Sequence, residues 1–589
     1  MIDENDNEII DFISGKRVKN TPEEREAVQV FSQILVEDYG YKKSQLTTHP
    51  QWRVKVRPSA KTKEYPIDIA VFKNSTKKDD NLWIIVECKK KTRKDGRIQL
   101  EDYLRFSAAP LGIWFNGEEK LFLKKIEKGG RVLFEEIPNI PKEGQRIEDV
   151  GKFKRKDLKP AKNLKSIFKT MRNYLAGNVV GATRDELLAQ QLINVIFCKI
   201  YDERYTKPDD IVSFRAGVDE PLKDIQKRII DIFNQVKKKY SDVIDKNDEI
   251  SLDENSLAYV VGELQLFSLT KSERDAVGDA FEVFIGHALK GGQGQFFTPR
   301  NVVKMIIDMV DPNPSEMILD PACGSGGFLV ECLRHVWFKV IAEGEKYNWT
   351  RQEIELEKQK VAMNNLRGFD KDYFLSKVCK AYMAILGDGR GGVFCENSLE
   401  EPKNWHGKSR DNIQLNNFDV LITNPPFGTK IPVKGKDLLA QFEIGHRWKK
   451  NAKTDTWEIG KLKDKESPQY LFIERCLQFL KDGGRMGIVL PDGVFGNGQL
   501  GYIRQIISQQ TQILAVVDIP KETFMPHTST KTSILILKKT KKPLKNYPIF
   551  MAVCNECGHD RRGNHLPKDD ISLVAEEFHK WRKKNNVKI

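Results

Sequence analysis

Between residues 273 and 540, short apolar segments alternate with segments of helical periodicity, and this alternation constrains the fold more than any other feature. The strand-like segments are, in order, EMILD, LRGFD, DVLITN, RMGIVLP, ILAVVDI and TSILILK. Continuous apolar strands separated by helices are typical of a parallel sheet that is covered by helices on both faces. We therefore predict a doubly wound, mostly parallel, Rossmann-like sheet in this part of the chain.

The 589-residue chain is long enough for several domains, so the fold class is multidomain α/β. The first part combines a helix capped at Thr21-Pro22 with strands predicted over 66–72, 81–87 and 111–115 and a helix starting around Ile98. The predicted divisions are an α/β domain over 1–150, a lysine-rich linker over 151–163, a helical domain over 164–272, the Rossmann-like domain over 273–545, and a tail for partner contact over 546–589.

Composition narrows the functional class. The formal net charge of +14 favours a polyanionic partner, and nucleic acid is the first candidate. No apolar run approaches the roughly 18 residues that span a bilayer, and the acidic start of the chain does not resemble a signal peptide. The nine cysteines are mostly isolated in apolar or helical stretches, as expected in a reducing compartment. We expect a soluble, cytoplasmic protein without membrane contact.

Two acidic residues follow predicted strands of the Rossmann-like domain. Asp320 opens the glycine-rich loop 320–327, whose small residues would let a ligand approach the backbone closely. Asp370 ends the next strand, where a carboxylate commonly accepts hydrogen bonds from ribose hydroxyls. Glycine loops occur in many nucleotide-binding folds, and Asp370 could also be an ordinary exposed acid.

The tetrapeptide Asn424-Pro425-Pro426-Phe427 follows the strand FDVLIT. Its two prolines make the loop rigid and remove two backbone donors, which leaves carbonyl oxygens and the Asn424 side chain as acceptors. Two acceptors suit an exocyclic amine that is to attack an electrophile, and Phe427 offers a face on which a planar base can stack. Such a base would have to leave the duplex to reach this loop. The alternative is a rigid turn without a binding role.

A second acidic constellation lies near the N-terminus. Asp68 lies on one predicted strand, and Glu87 and Lys89 end the next, after a gap of eighteen residues. Carboxylates on adjacent strands can hold a hard divalent cation such as Mg²⁺, and a lysine two residues after Glu87 projects to the same face. A solvated edge of a lysine-rich strand is the alternative interpretation.

The order of motifs from 165 to 565 resembles the N6-adenine DNA methyltransferase (modification) subunits of type I restriction-modification systems. The matching elements are Gly294-Gln295-Phe296-Phe297-Thr298-Pro299-Arg300, the loop 319–329, Asp370, the Asn-Pro-Pro-Phe tetrapeptide, and Phe524 with Thr528-Ser-Thr-Lys-Thr532. The resemblance implies S-adenosylmethionine as cofactor and the N6 amine of adenine in double-stranded DNA as target. It implies a cofactor site formed by Gln295, Phe296, Thr298, Pro299, Asp320, Ala322, Gly324, Ser325, Gly327, Asp370, Asn397, Ser398 and Asn424. Asn397 departs from the family, which often has Asp there; an Asn oxygen can still accept a hydrogen bond from adenine.

The N-terminal stretch resembles the PD-(D/E)xK nuclease domain of type I restriction subunits. The shared elements are the Thr-Pro-Glu-Glu-Arg helix start, Asp68, Glu87-x-Lys89, Gln99-x-x-x-Tyr103, and Trp114-Phe-Asn-Gly117. The resemblance implies that Asp68 and Glu87 bind Mg²⁺ and that Lys89, Gln99 and Tyr103 complete an endonuclease site. A nuclease-like domain kept only for docking or sensing, in a modification-only subunit, is the alternative.

Two further motifs carry less weight. Cys554-x-x-Cys557-Gly-His559, with His565, suggests zinc, but the spacing is tight and a turn without metal is favoured. Gly496-x-Gly498-x-x-Gly501 matches a dinucleotide fingerprint, but a loop before a helix is favoured.

The chain contains no phosphate loop of the G-x-x-x-x-G-K-[ST] type, and no long region after about 565 could recognise a target sequence. We therefore expect a separate specificity subunit that binds two copies of this chain in a hetero-oligomer, an arrangement that resembles type IIB restriction-modification systems. A non-catalytic DNA-binding scaffold is a further alternative, which the intact Asn-Pro-Pro-Phe tetrapeptide disfavours.

Overall fold

The computed structural model describes residues 7–55, 65–93, 95–161, 163–178, 185–272, 298–386, 390–427, 432–525 and 528–589. The chain divides into two compact units, unit 1 over 1–288 and unit 2 over 289–589. No helix among the described residues combines the length and the apolar character that crossing a membrane requires.

Unit 1 contains a sheet region followed by a helical region. Its strands are β1 (Glu8–Ile10), β2 (Arg17–Lys19), β3 (Leu46–Thr47), β4 (Trp52–Val54), β5 (Tyr65–Ile67), β6 (Ile69–Phe72), β7 (Leu82–Cys88), β8 (Leu111–Phe115), β9 (Lys120–Lys128), β10 (Arg131–Glu136), β11 (Lys159–Pro160) and β12 (Phe267–Ser268). Its helices are α1 (Gln29–Glu37), α2 (Arg97–Arg105), α3 (Leu164–Asn178), α4 (Asp185–Tyr205), α5 (Leu222–Lys239) and α6 (Glu254–Leu264), and a π-helical turn, Glu24–Val28, precedes α1.

The main sheet of unit 1 has the order β10-β9-β8-β7-β6-β3. Strands β7 and β8 are parallel and the other neighbours are antiparallel. The strand predicted over 111–115 matches β8, whereas the one predicted over 66–72 is divided at Asp68 into β5 and β6. The division arises because β5 pairs with β4 while β6 pairs with β3 and β7. The predicted cap is confirmed, since the Thr21 hydroxyl accepts a hydrogen bond from the Glu24 amide at 3.1 Å.

The segment 151–163, which precedes the helical region of unit 1, forms contacts with that region. Strand β11, in the stretch predicted as a linker, pairs in parallel with β12. Arg155 in the same stretch donates a hydrogen bond to the Glu203 carbonyl at 2.9 Å. Lys120 of the sheet forms an ion pair with the buried Glu263 of α6 at 2.7 Å. Sheet and helices therefore belong to one compact unit, and the predicted domain division remains a prediction.

Unit 2 contains fourteen strands among its described residues. They are β13 (Ile318–Asp320), β14 (Leu366–Asp370), β15 (Val393–Cys395), β16 (Phe418–Thr423), β17 (Val433–Lys434), β18 (His446–Asn451), β19 (Thr456–Leu462), β20 (Lys465–Glu466), β21 (Leu480–Pro491), β22 (Thr511–Asp518), β23 (Thr532–Lys539), β24 (Phe550–Val553), β25 (Cys557–His559) and β26 (His565–Asp569). The helices are α7 (Arg300–Val310), α8 (Gly327–Lys346), α9 (Arg351–Asn365), α10 (Tyr373–Leu386), α11 (Gly407–Asn412), α12 (Lys436–Ala440), α13 (Pro468–Phe479), α14 (Gly493–Gly496), α15 (Gly501–Gln510) and α16 (Ile571–Lys584).

Eight strands of unit 2 form one sheet with the order β15-β14-β13-β16-β21-β23-β22-β24. All neighbours are parallel except β23, which is antiparallel to both β21 and β22. The mostly parallel sheet is confirmed, and each predicted strand overlaps an observed one. These strands are apolar throughout because both of their faces are covered, as in β16, where five of the six residues are buried.

The segment 546–589, predicted as a tail, is folded onto unit 2. Strand β24 extends the sheet edge by pairing with β22, and β25 pairs with β26. Helix α16 packs beside α7, where His579 lies 2.8 Å from the Asp308 carbonyl oxygen. Its role in partner contact remains a prediction.

Candidate functional sites

The carboxyl ends of neighbouring parallel strands bring the predicted cofactor residues of unit 2 together. Asp320 ends β13, which lies between β14 and β16. Asp370 ends β14, and Asn424 directly follows β16. Because parallel strands end at the same edge, the three residues lie along one edge of the sheet. In open α/β sheets, ligands bind in a crevice outside this edge.

The glycine loop presents open backbone at this edge. Gly324 and Gly326 have φ angles of +52° and +95°, which side chains disfavour. A Cβ on Gly326 would lie 2.7 Å from the Cys379 sulfur, so the loop packs tightly there. A Cβ on Gly324 or Gly327, by contrast, would meet no atom of the described residues within 4 Å. Gly326 is therefore packed against Cys379, whereas the backbone at Gly324 and Gly327 is open. A ligand can approach the backbone closely at these two glycines.

Asp320 and Asp370 differ in how their carboxylates are used. Asp320 is buried, and its Oδ1 accepts a hydrogen bond from the Ala322 amide at 3.1 Å. The Thr423 hydroxyl lies close enough to lower the pKa of Asp320, but Oδ2 makes no hydrogen bond of normal geometry with a described residue. Burial raises the pKa of Asp320 to about 7. The Asp370 carboxylate accepts from the amides of Gly324 and Asp372, each at 2.9 Å, and burial raises its pKa as well. Of the two carboxylates, Asp320 is therefore the one that a positively charged or hydrogen-bond-donating ligand would stabilise most.

Asn397 and Ser398 follow β15 at the same edge. The Ser398 hydroxyl donates to the Pro321 carbonyl and so ties this loop to the glycine loop. The Asn397 Oδ1 accepts from the Leu399 amide at 3.2 Å. The oxygen that we expected to meet an adenine is thus already engaged, although an amide oxygen can accept two hydrogen bonds.

The Asn424 side chain is oriented by a residue far away in the sequence. Its Nδ2 donates a hydrogen bond to the Thr298 hydroxyl at 2.9 Å. Its Oδ1 is buried and has no hydrogen-bond partner among the described residues. A buried acceptor without a donor costs about 1–3 kcal/mol, so this oxygen is a natural site for an incoming N–H group.

Phe427, three residues after Asn424, belongs to a pair of aromatic rings. Phe427 lies edge-to-face against Phe524, with ring centroids 6.2 Å apart and an interplanar angle of 82°. Pro425 and Pro426, which join Asn424 to Phe427, have no amide hydrogen to compete for acceptors. Pro299 immediately precedes α7. Gln295 and Phe296 lie outside the described residues. Phe524 was noted only as part of a late motif, and its contact with Phe427 is seen only in the structure.

The acidic cluster of unit 1 is also assembled as a group. The Asp68 Oδ2 accepts a hydrogen bond from the Cys88 amide at 2.7 Å, which sets Asp68 beside the end of β7. Lys89 donates to the Glu87 carboxylate, and both side chains are almost fully buried. Gln51, which the sequence did not indicate, donates to Asp68 Oδ1 at 3.2 Å.

The electrostatics of this cluster show that its carboxylates are crowded. Burial, and then the charge of Glu87, raises the pKa of Asp68 to about 8. Burial also raises the pKa of Glu87, although Lys89 opposes the shift. The charge of Glu23 contributes to both shifts, so the acidic start of the first helix faces this cluster. The sequence indicates Glu23 only as a residue of the helix start. Two crowded carboxylates are hard oxygen ligands, and they fit a divalent cation whose charge would relieve their repulsion.

Gln99 and Tyr103 share one face of α2, as their spacing predicted. The Gln99 amide donates to the Tyr103 hydroxyl at 2.6 Å. Burial raises the pKa of Tyr103, and the charges of Glu87 and Asp68 add to the shift. The helix therefore brings Tyr103 within electrostatic reach of the carboxylates, while Gln99 remains exposed.

The two weaker motifs adopt ordinary structures. The ring nitrogens of His559 lie 2.9 and 3.2 Å from the carbonyl oxygens of Asp560 and Thr523, so the ring is engaged by backbone. Residues 496–501 lead from α14 into α15, as expected for a loop before a helix.

The chain is similar to methylase subunits of type I restriction enzymes. The type I restriction enzyme EcoEI methylase subunit of Escherichia coli is 28% identical over 288 residues, which are 48% of this chain and 50% of that protein. The type I restriction enzyme MjaVII methylase subunit of Methanocaldococcus jannaschii is 26% identical over 313 residues, 52% of this chain and 48% of that protein. The chain thus spans about half the length of these curated relatives.

A solved structure shares the fold. It was described in work on complex assembly and conformational transition of the type I R-M system, and it matches with a TM-score of 0.50 and 18% identity over 73% of this chain and 85% of that one. Residues 22–141 match the family model of the type I restriction enzyme R protein N terminus. Residues 272–588, more than half of the chain, match the model of the N-6 DNA methylases. The chain therefore belongs to the N-6 DNA methylase family.

Proposed function

We propose that this protein is a subunit that methylates the N6 amine of adenine in double-stranded DNA, with S-adenosylmethionine as the methyl donor. The observation that carries the proposal is the buried Asn424 Oδ1, which has no donor among the described residues, in a tetrapeptide whose Phe427 pairs with Phe524. An adenine amine supplies the missing donor, and its ring supplies a plane for stacking on Phe427. A base in a duplex reaches such a site only after flipping out of the stack.

Different residues at the sheet edge would bind different parts of the cofactor. S-adenosylmethionine supplies an electrophilic methyl group on a sulfonium. The open backbone at Gly324 and Gly327 would accommodate its methionine part, together with Ala322 and Ser325 of the same loop. Asp320, with its free buried oxygen, would receive the ammonium group. Asp370 would accept ribose hydroxyls. Thr298, Pro299, Asn397 and Ser398, with Gln295 and Phe296, would complete the pocket.

Asn424 would orient the attacking nitrogen. An N6–H bond that donates to Oδ1 and a second that donates to a nearby carbonyl of the proline pair would direct the amine lone pair towards the methyl group. Fixing that alignment is most of what the protein has to do, because the methyl group is already reactive. We further propose that a separate specificity subunit selects the DNA site and binds two copies of this chain.

Methyl transfer by the assembled complex tests the proposal. Asn424→Ala should lose most methyl transfer to unmethylated duplex even at saturating S-adenosylmethionine, with cofactor affinity measured separately by calorimetry. Asn404→Ala changes an exposed asparagine of the same unit and should behave as wild type. A fully active Asn424→Ala variant would remove the basis of the proposal.

A second activity, Mg²⁺-dependent DNA cleavage, is favoured by the cluster of Asp68, Glu87 and Lys89. Asp68 and Glu87 would hold the cation, which supplies a polarised water and stabilises charge on phosphate. Lys89, on the same face as Glu87, would add a positive charge near the developing phosphorane. Tyr103 and Gln99 would line the site. The match of residues 22–141 to the R protein N terminus supports this assignment.

Lys89→Ala distinguishes cleavage from a docking or sensing role. If the cluster cleaves, wild-type complex with Mg²⁺ should cut unmethylated DNA, and Lys89→Ala should abolish cutting while methyl transfer persists. Lys90→Ala alters the adjacent exposed lysine and serves as the matched control. Intact DNA with wild type under all conditions would favour a modification-only subunit.

A further inference from the structure

A basic β-hairpin of unit 2 has no role in the chemistry proposed above. Strands β18 and β19 pair antiparallel, with Lys449 opposite Glu458 and Lys450 opposite Trp457. We call residues 446–462 the basic hairpin, because they hold five lysine or arginine residues and two acidic ones. The hairpin lies outside the eight-stranded sheet and is a two-stranded sheet of its own.

The basic hairpin is firmly anchored on helix α15. The Trp448 ring stacks on Tyr502 with centroids 5.7 Å apart and an interplanar angle of 14°, and Trp457 meets the same ring at 6.0 Å. The Gln505 side chain accepts from the Trp457 amide at 2.8 Å and donates to its carbonyl at 2.9 Å. A Cβ on Gly501 would lie 2.5 Å from the Trp457 indole nitrogen. The hairpin is therefore held in one orientation.

The start of helix α15, on which the basic hairpin packs, lies at the edge of the sheet that carries Asn424. Strands β16 and β21 are parallel, so the end of β21 at Pro491 lies at the same edge as Asn424, which follows β16. Helix α15 starts ten residues after Pro491, and Gly501 and Tyr502 form its first turn. The hairpin that packs on this turn therefore lies at the same edge of the sheet as Asn424.

The acidic residues of the basic hairpin neutralise only one of its exposed lysines. Asp455 pairs with Lys450 at 2.6 Å. Glu458 lies across from Lys449 but accepts a hydrogen bond from the Asn451 side-chain Nδ2 at 2.6 Å. Each acid is thus engaged within the hairpin itself.

Three lysines remain with free charges. Lys449, Lys453 and Lys461 are exposed, and none of them forms an ion pair with a described residue. Side chains of this kind attract phosphate, whose binding to cations releases condensed counterions. A protein partner fits this surface less well, because lysine is depleted at the cores of protein interfaces and Ile459 is the one large apolar side chain exposed among the described hairpin residues.

We propose that Lys449, Lys453 and Lys461 contact the phosphate backbone of duplex DNA beside the site from which the target base is taken. The inference rests on the proposed methyltransferase function. It adds a non-sequence-specific phosphate contact that holds the duplex while Asn424 and Phe427 engage the base. Contacts of this kind set affinity and register but carry no sequence information.

Salt dependence of DNA binding tests the inference. Anisotropy of a fluorescent duplex would be measured with the complex of this chain and its specificity subunit, comparing wild type with the triple variant Lys449→Gln, Lys453→Gln, Lys461→Gln. Loss of three phosphate contacts should flatten the slope of log affinity against log salt by about 2.7. Between about 50 and about 200 mM salt, wild-type affinity should then fall about 40-fold more than that of the variant.

The matched control changes three exposed lysines at the opposite edge, Lys541→Gln, Lys542→Gln and Lys545→Gln. They follow β23, which is antiparallel to β21 and therefore ends at the other edge of the sheet. This control should keep the wild-type slope, and both triple variants should bind S-adenosylmethionine normally.

Three outcomes would overturn the inference. The first is an unchanged salt slope in the hairpin variant. The second is a hairpin variant that no longer co-purifies with the specificity subunit, which would assign the hairpin to a protein contact. The third is wild-type complex that binds no duplex, which would refute the proposed function itself. Methyl transfer by the wild-type complex, measured in parallel, separates failure of the inference from failure of the proposed function.

Discussion

Replacing Thr298 with valine should slow methyl transfer although the residue need not touch the target base. The Thr298 hydroxyl accepts the hydrogen bond from the Asn424 Nδ2 at 2.9 Å, which leaves Oδ1 as the inward acceptor. Valine has nearly the shape of threonine but no hydroxyl, so the amide could rotate and present its donor to the amine instead. We therefore expect methyl transfer to slow because the Asn424 side-chain amide is no longer held in one orientation.

The magnitude follows from that one hydrogen bond. A hydrogen bond between neutral groups contributes a net 0.5–1.5 kcal/mol or so, and each 1.36 kcal/mol or so corresponds to a factor of ten in rate. We therefore expect Thr298→Val to reduce the kcat for methyl transfer by about 2-fold to about 13-fold. The loss should appear with saturating DNA and saturating S-adenosylmethionine, because it concerns alignment of the amine.

Single-turnover transfer of a labelled methyl group to unmethylated duplex measures this rate, and calorimetry measures cofactor affinity separately. Thr298→Ser keeps the hydroxyl and should retain most of the rate. The reasoning is refuted if the valine variant transfers methyl groups as fast as wild type. It is refuted equally if the serine variant is as slow as the valine variant.

Three further expectations concern charge and packing. Affinity for S-adenosylmethionine, measured by calorimetry, should fall as the pH drops through about 7. Burial raises the pKa of Asp320 to that value, and the protonated carboxyl attracts an ammonium group less. Asp320→Asn should make the affinity less dependent on pH. The raised pKa of Asp68 makes the folded state take up a proton more readily, so the stability of unit 1 should decrease as the pH rises from 3.8 towards about 8. Hydrogen exchange of the β7 amides should report this, and Asp68→Asn or added Mg²⁺ should reduce the loss at high pH. Gly262→Ala should destabilise unit 1 by about 1–3 kcal/mol in urea unfolding because its Cβ would lie 2.3 Å from the Pro138 carbonyl oxygen. Gly177→Ala, in open space on a helix, should instead be neutral or stabilising by up to about 1 kcal/mol.

The strands could be predicted wherever burial on both faces made the sequence apolar throughout. Strand β8 coincides with its predicted bounds, and β14 does so as well. The prediction over 66–72 was less accurate, because a polar interruption at Asp68 changes the pairing partner without changing the apolar pattern around it. Pairing partners depend on contacts between distant segments, which local periodicity does not reveal.

The basic hairpin was not predicted. Its segment is rich in lysine and contains only scattered apolar residues, so it lacks the alternation of a half-buried strand. Its stability comes from Trp448 and Trp457 packing on Tyr502, some fifty residues away in the sequence. The stretch predicted as a linker also depends on distant contacts. Its hydrogen bonds to the helical region could not be predicted from its lysine-rich composition.

By itself, the sequence determined the types of chemical group that this protein carries and the order in which they occur. Motif spacing also implied their position at strand ends, because parallel strands deliver their carboxyl ends to one edge. Only the tertiary structure decided which atoms are free to act. Asn424 directs its oxygen inward because Thr298, 126 residues earlier, takes its nitrogen, and Asp68 has a raised pKa because folding buries it beside Glu87. Orientation and desolvation depend on neighbours that are distant in the chain, and these exist only after folding.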